Sequence, residues 1–274
     1  MSDASTVALR LLGTHWETPS LDGAGWVERQ YDLDPAETGF VALHLWNVGD
    51  PGGPPIPDRF FVDMGSREAQ LESVRIAEGY IRPAIDASRR AGIPIFHVEP
   101  GNIALKYDSV HYGLEADELR APPARPRPPE VNPGWNRARN ERSHGRGYLE
   151  WEGWDTMRIL SSCAPEPGDQ VILTGRQLDR ICRERGIKNL VYTGFATNMC
   201  ILDSPAATRE MLGYGYRIFL IREATLAVEF PDTFPERLMT RSALKYFQLK
   251  IGDTIAFDQY VAACDAVAGA RPPA

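Results

Sequence analysis

The sequence predicts an α/β fold in which a doubly wound, mostly parallel sheet carries helices on both faces. Four apolar runs of strand length support this prediction, at residues 40–46, 93–99, 189–195 and 217–221. Continuous apolar strands are typical of a parallel sheet that is covered on both sides. The chain has 274 residues and is 43% hydrophobic, which is enough for one large core.

Helices are predicted between these strands. Residues 66–92 place apolar side chains at helical intervals and end in Gly92. Two shorter helical segments are LDRICRERG, which ends at Gly186, and SPAATREMLGYG, which ends at Gly213 or Gly215. Glycine is a common helix stop because it adopts left-handed backbone at little cost. The resulting order of strands and helices is that of a doubly wound domain.

Two segments fall outside this alternation. Residues 1–37 are polar and are predicted to form an N-terminal extension that wraps a neighbouring subunit or the same one. Residues 104–150 are predicted to be an insertion, in which APPARPRPPEVNPGW has six prolines within 15 residues. An ordered lid or subunit contact and a disordered linker both remain open for it. The predicted domain therefore spans residues 38–262, and residues 263–274 form a C-terminal tail.

Composition restricts the partners and the compartment. The net charge is -7, so no global positive field would collect nucleic acid or anionic lipid, and a small-molecule substrate is the better prediction. The N-terminal residues lack the basic and apolar regions of a signal peptide, and no run approaches 18 apolar residues, which predicts a cytoplasmic protein. The four cysteines form no C-x-x-C, so we predict neither disulfides nor a zinc site, and no cofactor.

Three segments with chemical potential meet where parallel strands end, the edge at which open α/β sheets bind ligands. They are HLWN, HVEP and the turn GFATNMC. In that turn Cys200 would begin a helix, whose dipole and free N–H groups favour a thiolate and an oxyanion. The alternative is that Cys200 is a small buried hydrophobe, which is how we interpret Cys163, Cys182 and Cys264.

The segments GFATNMC and GYGYRIFLIREAT, with Pro167-Gly168-Asp169 and LDRICRERGI in matching order, resemble the isochorismatase-like cysteine hydrolases. That family includes nicotinamidases and N-carbamoylsarcosine, biuret and ureidoacrylate hydrolases. The resemblance implies Cys200 as nucleophile, a cis peptide bond at Phe195–Ala196, and an oxyanion hole formed by the amides of Ala196 and Cys200. It also implies a homo-oligomer, with the proline-rich insertion and the N-terminal extension as candidate interfaces.

The chain departs from the family pattern at the other two members of the catalytic triad. The family has an aspartate at the end of the first strand, in a D-x-Q-N setting, whereas alignment of HLWN puts His44 and Trp46 at the aspartate and glutamine positions and keeps Asn47. A histidine can accept a thiol proton and return it to a leaving amine, which predicts a Cys200–His44 pair. A neutral core histidine is the alternative for His44, and Asp50 is a weaker substitute for the aspartate.

The family lysine is also missing, because the segment after Asp169 is shortened. Arg176 lies nearest in the sequence and is our candidate for its positive charge, although a guanidinium cannot shuttle protons. An exposed residue at a helix N-terminus is the alternative interpretation of Arg176. Lys106 in the insertion is a second candidate.

The remaining polar candidates come from their positions along the strands. Trp46, Asn47 and Asn198 are predicted to contact substrate, with bracing of the loop as the alternative for Asn198. His97 and Glu99 share a strand face, but without a D-x-H motif we predict no metal. The other tryptophans could line a pocket or belong to the core: Trp135, Trp151 and Trp154.

The sequence therefore predicts a cysteine-dependent hydrolase of a C–N bond in a small amide or ureido compound. Two alternatives stay open. One is a catalytically degenerate family member that acts as a binding or assembly subunit. The other is a lyase or isomerase that uses His44 without covalent catalysis.

Overall fold

Eight strands form one sheet in the computed structural model, which describes residues 7–62, 64–119 and 131–270. Six adjacent strands run parallel to one another, as the apolar runs predict. The strands are β1 (Leu9–Glu17), β2 (Gly25–Leu33), β3 (Thr38–Leu43), β4 (Ile95–Val98), β5 (Gln170–Ile172), β6 (Asn189–Phe195), β7 (Arg217–Leu226) and β8 (Asp253–Ile255).

The strand order across the sheet is β2-β1-β8-β7-β6-β3-β4-β5. From β3 the chain passes outward through β4 to β5, and it then returns to the opposite side of β3 to form β6 and β7. The direction of winding therefore reverses between β3 and β6. In open α/β sheets the crevice at such a reversal, beyond the carboxyl ends of the strands, is where ligands bind.

Helices cover both faces of the sheet, which confirms the predicted architecture. One apolar cluster contains the helical residues between β3 and β4 together with the last helix, and the other contains the helices that flank β6. The helices are α1 (Arg67–Ile76), α2 (Arg82–Ala91), α3 (Gly101–Ala104), α4 (Trp135–His144), α5 (Gly153–Thr156), α6 (Gly175–Glu184), α7 (Cys200–Asp203), α8 (Thr208–Gly213), α9 (Leu238–Lys250) and α10 (Phe257–Gly269). A π-helical segment at Ala77–Ile81 joins α1 to α2.

The N-terminal segment extends the sheet of its own chain. β1 and β2 form an antiparallel hairpin, and β1 pairs with β8 at Thr14 and Thr254. Asp253 at the start of β8 binds this hairpin through His15 Nδ1 at 2.8 Å and Tyr31 Oη at 3.0 Å. Of the two predicted placements for residues 1–37, the described part therefore shows the one within the same subunit.

Two predicted elements end earlier than the sequence indicates. The apolar run 40–46 forms a strand only to Leu43, because His44 turns the backbone to a φ of 52°. The helix predicted after the cysteine turn is divided into α7 and α8, with Ala206 at a φ of 60° between them. Both breaks lie near the carboxyl edge of the sheet. At these two positions the backbone departs from regular strand and helix geometry.

The end of the insertion and the residues just after it form an aromatic cluster. Trp151 packs edge to face against Trp154 at 5.2 Å and against Phe60 at 5.8 Å, and Tyr148 lies 5.0 Å from Trp154. Trp135 is half exposed and lies under the guanidinium of Arg142. Trp151 and Trp154 therefore belong to packing against the core. Residues 120–130, with most of the proline-rich run, lie outside the described residues.

None of the helices in the described part of the chain combines the length and the apolar character that crossing a membrane requires.

Candidate active site

The residues expected to carry chemistry come together because β4, β3 and β6 are adjacent and parallel. Glu99 follows β4, His44 follows β3, and the turn that leads to Cys200 follows β6. Carboxyl ends of neighbouring parallel strands meet at one edge of a sheet. The structure therefore places these three segments at the winding reversal, in the order Glu99, His44, Cys200.

Gly194 allows the cysteine turn to approach β3. Its φ is 111°, and a Cβ atom at this position would lie 1.9 Å from the carbonyl oxygen of Leu43. No residue with a side chain fits there without displacing the backbone of β3. Glycine in this strand is thus required by the close contact between the two strands that carry His44 and Cys200.

After β6 the chain makes a compact turn. The peptide bond between Phe195 and Ala196 is cis, which confirms the expectation from the family resemblance. The carbonyl oxygen of Ala196 accepts hydrogen bonds from the amides of Met199 at 3.0 Å and Ile201 at 3.1 Å. These bonds fix the turn from which Cys200 begins α7. The oxyanion hole formed by the amides of Ala196 and Cys200 stays a prediction.

Cys200 differs from the other cysteines in its surroundings. Cys163, Cys182 and Cys264 are buried, and burial raises the pKa of each thiol to about 12. Cys200 is partly exposed and packs against the core cluster on the α6–α9 face. Since α7 has only four residues, its dipole contributes less to thiolate formation than the sequence led us to expect.

Asn198 braces the turn from the other side. Its Oδ1 atom accepts a hydrogen bond from the amide of Val228 at 2.9 Å, which connects the cysteine turn to the segment after β7. This is the alternative that the sequence left open for Asn198. A direct contact between its side chain and substrate stays a prediction.

His44 is buried and strained. Its left-handed backbone costs a non-glycine residue about 1 to 3 kcal/mol. Its N–H donates to the carbonyl of Val98 at 2.9 Å, and its ring stacks on Trp46 with the centroids 5.3 Å apart. Burial lowers the pKa of the imidazole to about 4, so the ring is neutral at neutral pH. Within the described residues, Nδ1 of His44 is buried and has no hydrogen-bond partner.

Glu99 is a feature of this edge that sequence reasoning considered only as a metal ligand. Its side chain is buried, and its carboxylate accepts hydrogen bonds from the Leu45 amide at 2.9 Å and from Trp46 Nε1 at 3.0 Å. Burial raises the pKa of Glu99 to about 8, although these two hydrogen bonds oppose the shift. The signal in the sequence was a glutamate placed directly after a buried strand.

His97 does not share the surroundings of Glu99. It is fully buried, and its Nε2 lies 3.3 Å from Asp169 Oδ2, in the Pro-Gly-Asp segment. Arg89 from α2 also donates to Asp169. The two residues of the His97/Glu99 pair therefore have separate partners, and the pair holds β4 and its neighbouring segments together.

Asn47 and Asp50 tie the loop after β3 to the segment that follows α5. Asn47 Oδ1 accepts from the Arg158 amide at 2.8 Å, and Asp50 Oδ2 accepts from the Ser161 hydroxyl at 2.6 Å. Both side chains are buried. Their contacts indicate a structural role in shaping the edge, and substrate contact by Trp46 or Asn47 stays a prediction.

The two candidates for the family lysine have other partners. Arg176 is 53% exposed at the start of α6 and pairs with Glu115 at 3.0 Å and with Asp117 at 3.1 Å. It lines a cleft of about 560 Å³ together with Leu202 and Asp203 at the C-terminal end of α7. This geometry matches the exposed helix N-terminal residue that the sequence left open. The catalytic role of Arg176 stays a prediction that the ion pairs do not favour.

Lys106 lies in the insertion and is held by residues that follow the insertion. Its Nζ donates to the carbonyl oxygens of Asp155 and Met157, each at 2.6 Å. Burial lowers the pKa of this amine below its ordinary value. Lys106 therefore fastens the chain after α3 to the segment after α5.

Three carboxylates near Arg176 come close enough together to be considered as a metal site. Ligand atoms of Glu115, Asp117 and Glu118 lie within 4.8 Å of one another. Arg176 and Arg180 form ion pairs with all three. The positive charge that a cation would supply is thus already provided by the protein, and the prediction of a metal-free site stays a prediction.

Comparison with known proteins supports the interpretation of the cysteine turn. The family model described as Isochorismatase domain matches residues 155–242, a range that includes Cys200 and excludes His44 and Glu99. The ureidoacrylate amidohydrolase RutB of Agrobacterium fabrum is 26% identical over 206 residues, which cover 70% of this chain and 77% of that protein. RutB of Stutzerimonas stutzeri is 30% identical over 180 residues, or 61% of each chain.

Among solved structures, a cysteine hydrolase from Pseudomonas syringae pv. phaseolicola superimposes with a TM-score of 0.54. The alignment covers 86% of this chain and 96% of that one at 14% identity, so it bears on the fold alone. The domain match and the RutB relatives agree with the motifs around Cys200. The chain is similar to the isochorismatase-like hydrolases over residues 155–242 and has their fold.

Proposed function

We propose that the protein is a cysteine-dependent hydrolase that cleaves a C–N bond in a small amide or ureido compound. Cys200 is the nucleophile and His44 is the base. The observation that carries this proposal is the placement of Cys200. It is the partly exposed cysteine of the chain, next to the winding reversal of the sheet, while Cys163, Cys182 and Cys264 are buried.

The reaction begins when the thiol proton of Cys200 passes to His44 and the sulfur forms a bond to the substrate carbonyl carbon. The amides of Ala196 and Cys200 donate hydrogen bonds to the resulting oxyanion. When the C–N bond breaks, His44 returns its proton to the leaving amine or ammonia. Water then attacks the acyl or carbamoyl enzyme as His44 takes a proton from it. The C–S bond breaks, the acid or carbamic acid product leaves, and His44 returns its proton to the Cys200 sulfur.

The electrostatics of His44 define how it acts. Because burial lowers the pKa of its ring to about 4, a stable pair of thiolate and imidazolium is unfavourable in the resting enzyme. His44 is instead a neutral hydrogen-bond acceptor that receives the proton as sulfur attacks. General-base catalysis of this kind typically contributes a factor of about 10² to 10⁴ in rate.

The names of the matching proteins support one class of substrate. The matching proteins from Agrobacterium fabrum and Stutzerimonas stutzeri are named ureidoacrylate amidohydrolases. We therefore place small ureido acids first among candidate substrates, followed by simple amides. An acyl or carbamoyl group on sulfur would be the common intermediate.

A second candidate function is a binding or assembly subunit without turnover. The ion pairs of Arg176 and the replacement of the family aspartate by His44 favour it, since two of the three triad positions lack the expected group. This alternative predicts an inert thiol at Cys200. Use of His44 without covalent catalysis, as in a lyase or isomerase, predicts turnover that survives loss of the thiol.

The test is turnover combined with detection of the intermediate. The purified protein is incubated with a panel of ureido acids and amides, ammonia release is measured, and intact mass is recorded after rapid acid quench. We expect ammonia release and a mass increase that maps to the peptide containing Cys200, with neither present in Cys200→Ser. Turnover without an adduct that survives in Cys200→Ser would support the non-covalent alternative, and no turnover would support the binding subunit.

Assembly and partners belong to the same proposal. We propose a homo-oligomer that acts on a small molecule and has no nucleic acid or membrane partner. Light scattering at several protein concentrations tests the first part, and a mass equal to one chain at all concentrations would contradict it.

A further inference from the structure

Glu99 occupies the same edge as His44, on the side of β3 away from the cysteine turn. We propose that Glu99 is a positioning residue for His44. Glu99 fixes Leu45 and Trp46, the two residues after His44, so that the imidazole is held in one orientation against Trp46. The catalytic part of this inference rests on the proposed function. The positioning itself can be measured without any substrate.

The carboxylate of Glu99 makes a bidentate contact. The carboxylate binds two consecutive residues with separate oxygens, Oε1 to the Leu45 amide at 2.9 Å and Oε2 to Trp46 Nε1 at 3.0 Å. One contact fixes the backbone and the other fixes a side chain. Two hydrogen bonds to a planar carboxylate determine both position and orientation, which a single bond does not.

The backbone of His44 also depends on Glu99. Its left-handed conformation persists only when the surroundings hold the chain on both sides. On one side its own N–H donates to Val98, and on the other the next N–H, that of Leu45, donates to Glu99. Two contacts therefore define the turn at His44. One is made by Val98 at the end of β4, and the other by Glu99, the residue that follows β4.

The imidazole of His44 stacks on an indole that Glu99 holds. The indole of Trp46 lies against the imidazole of His44 with the centroids 5.3 Å apart and the planes 25° apart. Because the indole nitrogen is bound to Glu99, the carboxylate determines where this ring lies. The orientation of the imidazole thus depends on Glu99 through both the backbone and the indole.

A carboxyl group is a costly choice for a merely structural role at a buried position, because desolvation opposes its ionised form. Near Glu99, Tyr107 from the segment after α3 interacts electrostatically with the carboxyl group, and His44 stacks on the Trp46 indole that Glu99 binds. His97 on β4 has a separate partner in Asp169. Burial raises the pKa of Glu99 to about 8, so the group titrates near neutral pH. Protonation weakens both contacts, since a carboxylate is the stronger acceptor.

The test follows the indole N–H of Trp46 by ¹H–¹⁵N NMR between pH 5.5 and 9.5. The chain has six tryptophans, and Trp46→Phe assigns the signal. We expect the Trp46 indole proton to move with a midpoint near pH 8, as Glu99 ionises. The indole of Trp154 is an internal control, because it donates to the backbone carbonyl of Tyr148 at 2.8 Å, which does not titrate. If the Trp46 indole signal and the His44 ring signals are the same in Glu99→Gln as in the wild-type protein, the proposal is overturned, because the positions of both rings would not depend on the carboxylate.

Variants supply the functional test. Glu99→Gln keeps the shape but presents an NH₂ group to one of the two donors, and Glu99→Asp keeps the charge with a shorter reach. We expect kcat to fall roughly 10- to 100-fold in Glu99→Gln and less in Glu99→Asp, with KM within about threefold, because misplacement of a reacting group acts on the chemical step. Asp253→Asn, at the buried carboxylate that holds the hairpin, is the matched control and is expected to keep the Trp46 titration.

The outcomes separate the two proposals. If the Trp46 indole titrates and Glu99→Gln abolishes the titration while Cys200 chemistry is indifferent to His44, positioning stands and the hydrolase proposal fails. If Cys200 chemistry depends on His44 but Glu99→Gln leaves kcat and the His44 ring signals unchanged, the hydrolase proposal stands and the role of Glu99 is overturned.

Discussion

The two halves of the candidate site differ in how they are built. The cysteine half, residues 189–203, consists of β6, the turn and α7, and it lies within the range that matches the family model. The base half, residues 38–47 together with Glu99, consists of β3 and the ends of two strands, and it lies outside that range. The first half is continuous in sequence, and the second is assembled from distant segments. A change of catalytic groups is therefore easier to recognise in the first than in the second.

The base half holds a buried carboxylate next to the position that the family resemblance predicts for an aspartate. The family pattern places an aspartate where this chain has His44, and the structure places a buried carboxylate one strand away, at Glu99. Adjacent parallel strands end at the same edge, so a group can be supplied from either strand. Catalytic groups in such a fold should therefore be looked for along the whole carboxyl edge of the sheet, and not at the end of one strand alone.

Removal of the nucleophile should have the largest effect. Cys200→Ser is expected to lower kcat/KM by at least about 10³-fold, since a hydroxyl is a much weaker nucleophile than a thiol at this position. Steady-state ammonia release measures it. Cys182→Ala is the matched control, because this fully buried cysteine should change stability while activity per folded molecule stays the same. Equal losses in the two variants would contradict the assignment.

Removal of the base should have the next largest effect. His44→Ala is expected to lower kcat about 10²- to 10³-fold through loss of general-base catalysis. His15→Ala serves as control, because His15 bonds Asp253 in the N-terminal hairpin, away from the cysteine turn. Full activity of His44→Ala would show that the base half takes no part in the chemistry.

The contact between the two halves can be broken at Gly194. In Gly194→Ala the new Cβ would lie 1.9 Å from the Leu43 carbonyl oxygen at a backbone φ of 111°. We expect a loss of about 3 kcal/mol or more in the free energy of unfolding, measured with urea. Gly213→Ala is the control, since no atom lies within 4 Å of the added methyl group, and it should be neutral or slightly stabilising.

Acidification should lower the free energy of unfolding through protonation of His44. The folded-state pKa of about 4 lies below the ordinary value of 6.5, so the neutral ring contributes stability above pH 6.5 that is lost as pH falls through about 4. The full difference corresponds to about 3 kcal/mol. Unfolding curves at pH 4 and pH 7 for wild type and His44→Gln isolate the contribution, which should be smaller in the variant. Equal pH dependence in both proteins would contradict it.

Arg176→Ala should have the smallest effect. Its ion pairs with Glu115 and Asp117 are at exposed positions, so we expect kcat/KM within about twofold of wild type. A much larger loss would restore Arg176 as a replacement for the family lysine.

Much of the fold followed from the sequence because the central strands are long apolar runs. β5 and β8 were not predicted, since three residues each are too few to show periodicity. β1 and β2 were interpreted as a polar extension, because a hairpin at the edge of a sheet is half exposed. These misses do not disturb the center of the sheet, where the site lies.

The site was predicted unevenly. Cys200 and the peptide bond at Phe195–Ala196 could be located because they belong to one local motif. The turn at His44 depends on a backbone angle that histidine rarely adopts, and the contact of Glu99 with Trp46 joins residues 53 positions apart. Such contacts follow from strand adjacency, which an isolated sequence pattern does not contain.

The central claim, that neutral His44 activates Cys200, is tested most directly by the rate of Cys200 alkylation with iodoacetamide as a function of pH. Wild type and His44→Ala are compared, with Cys200→Ser as the blank. We expect the wild-type rate to be nearly level between about pH 5 and 8, because a base with a pKa of about 4 is already deprotonated there. His44→Ala should instead rise about tenfold per pH unit toward an ordinary thiol pKa near 8.5. Identical profiles in the two proteins, both rising as an ordinary thiol, would contradict the account.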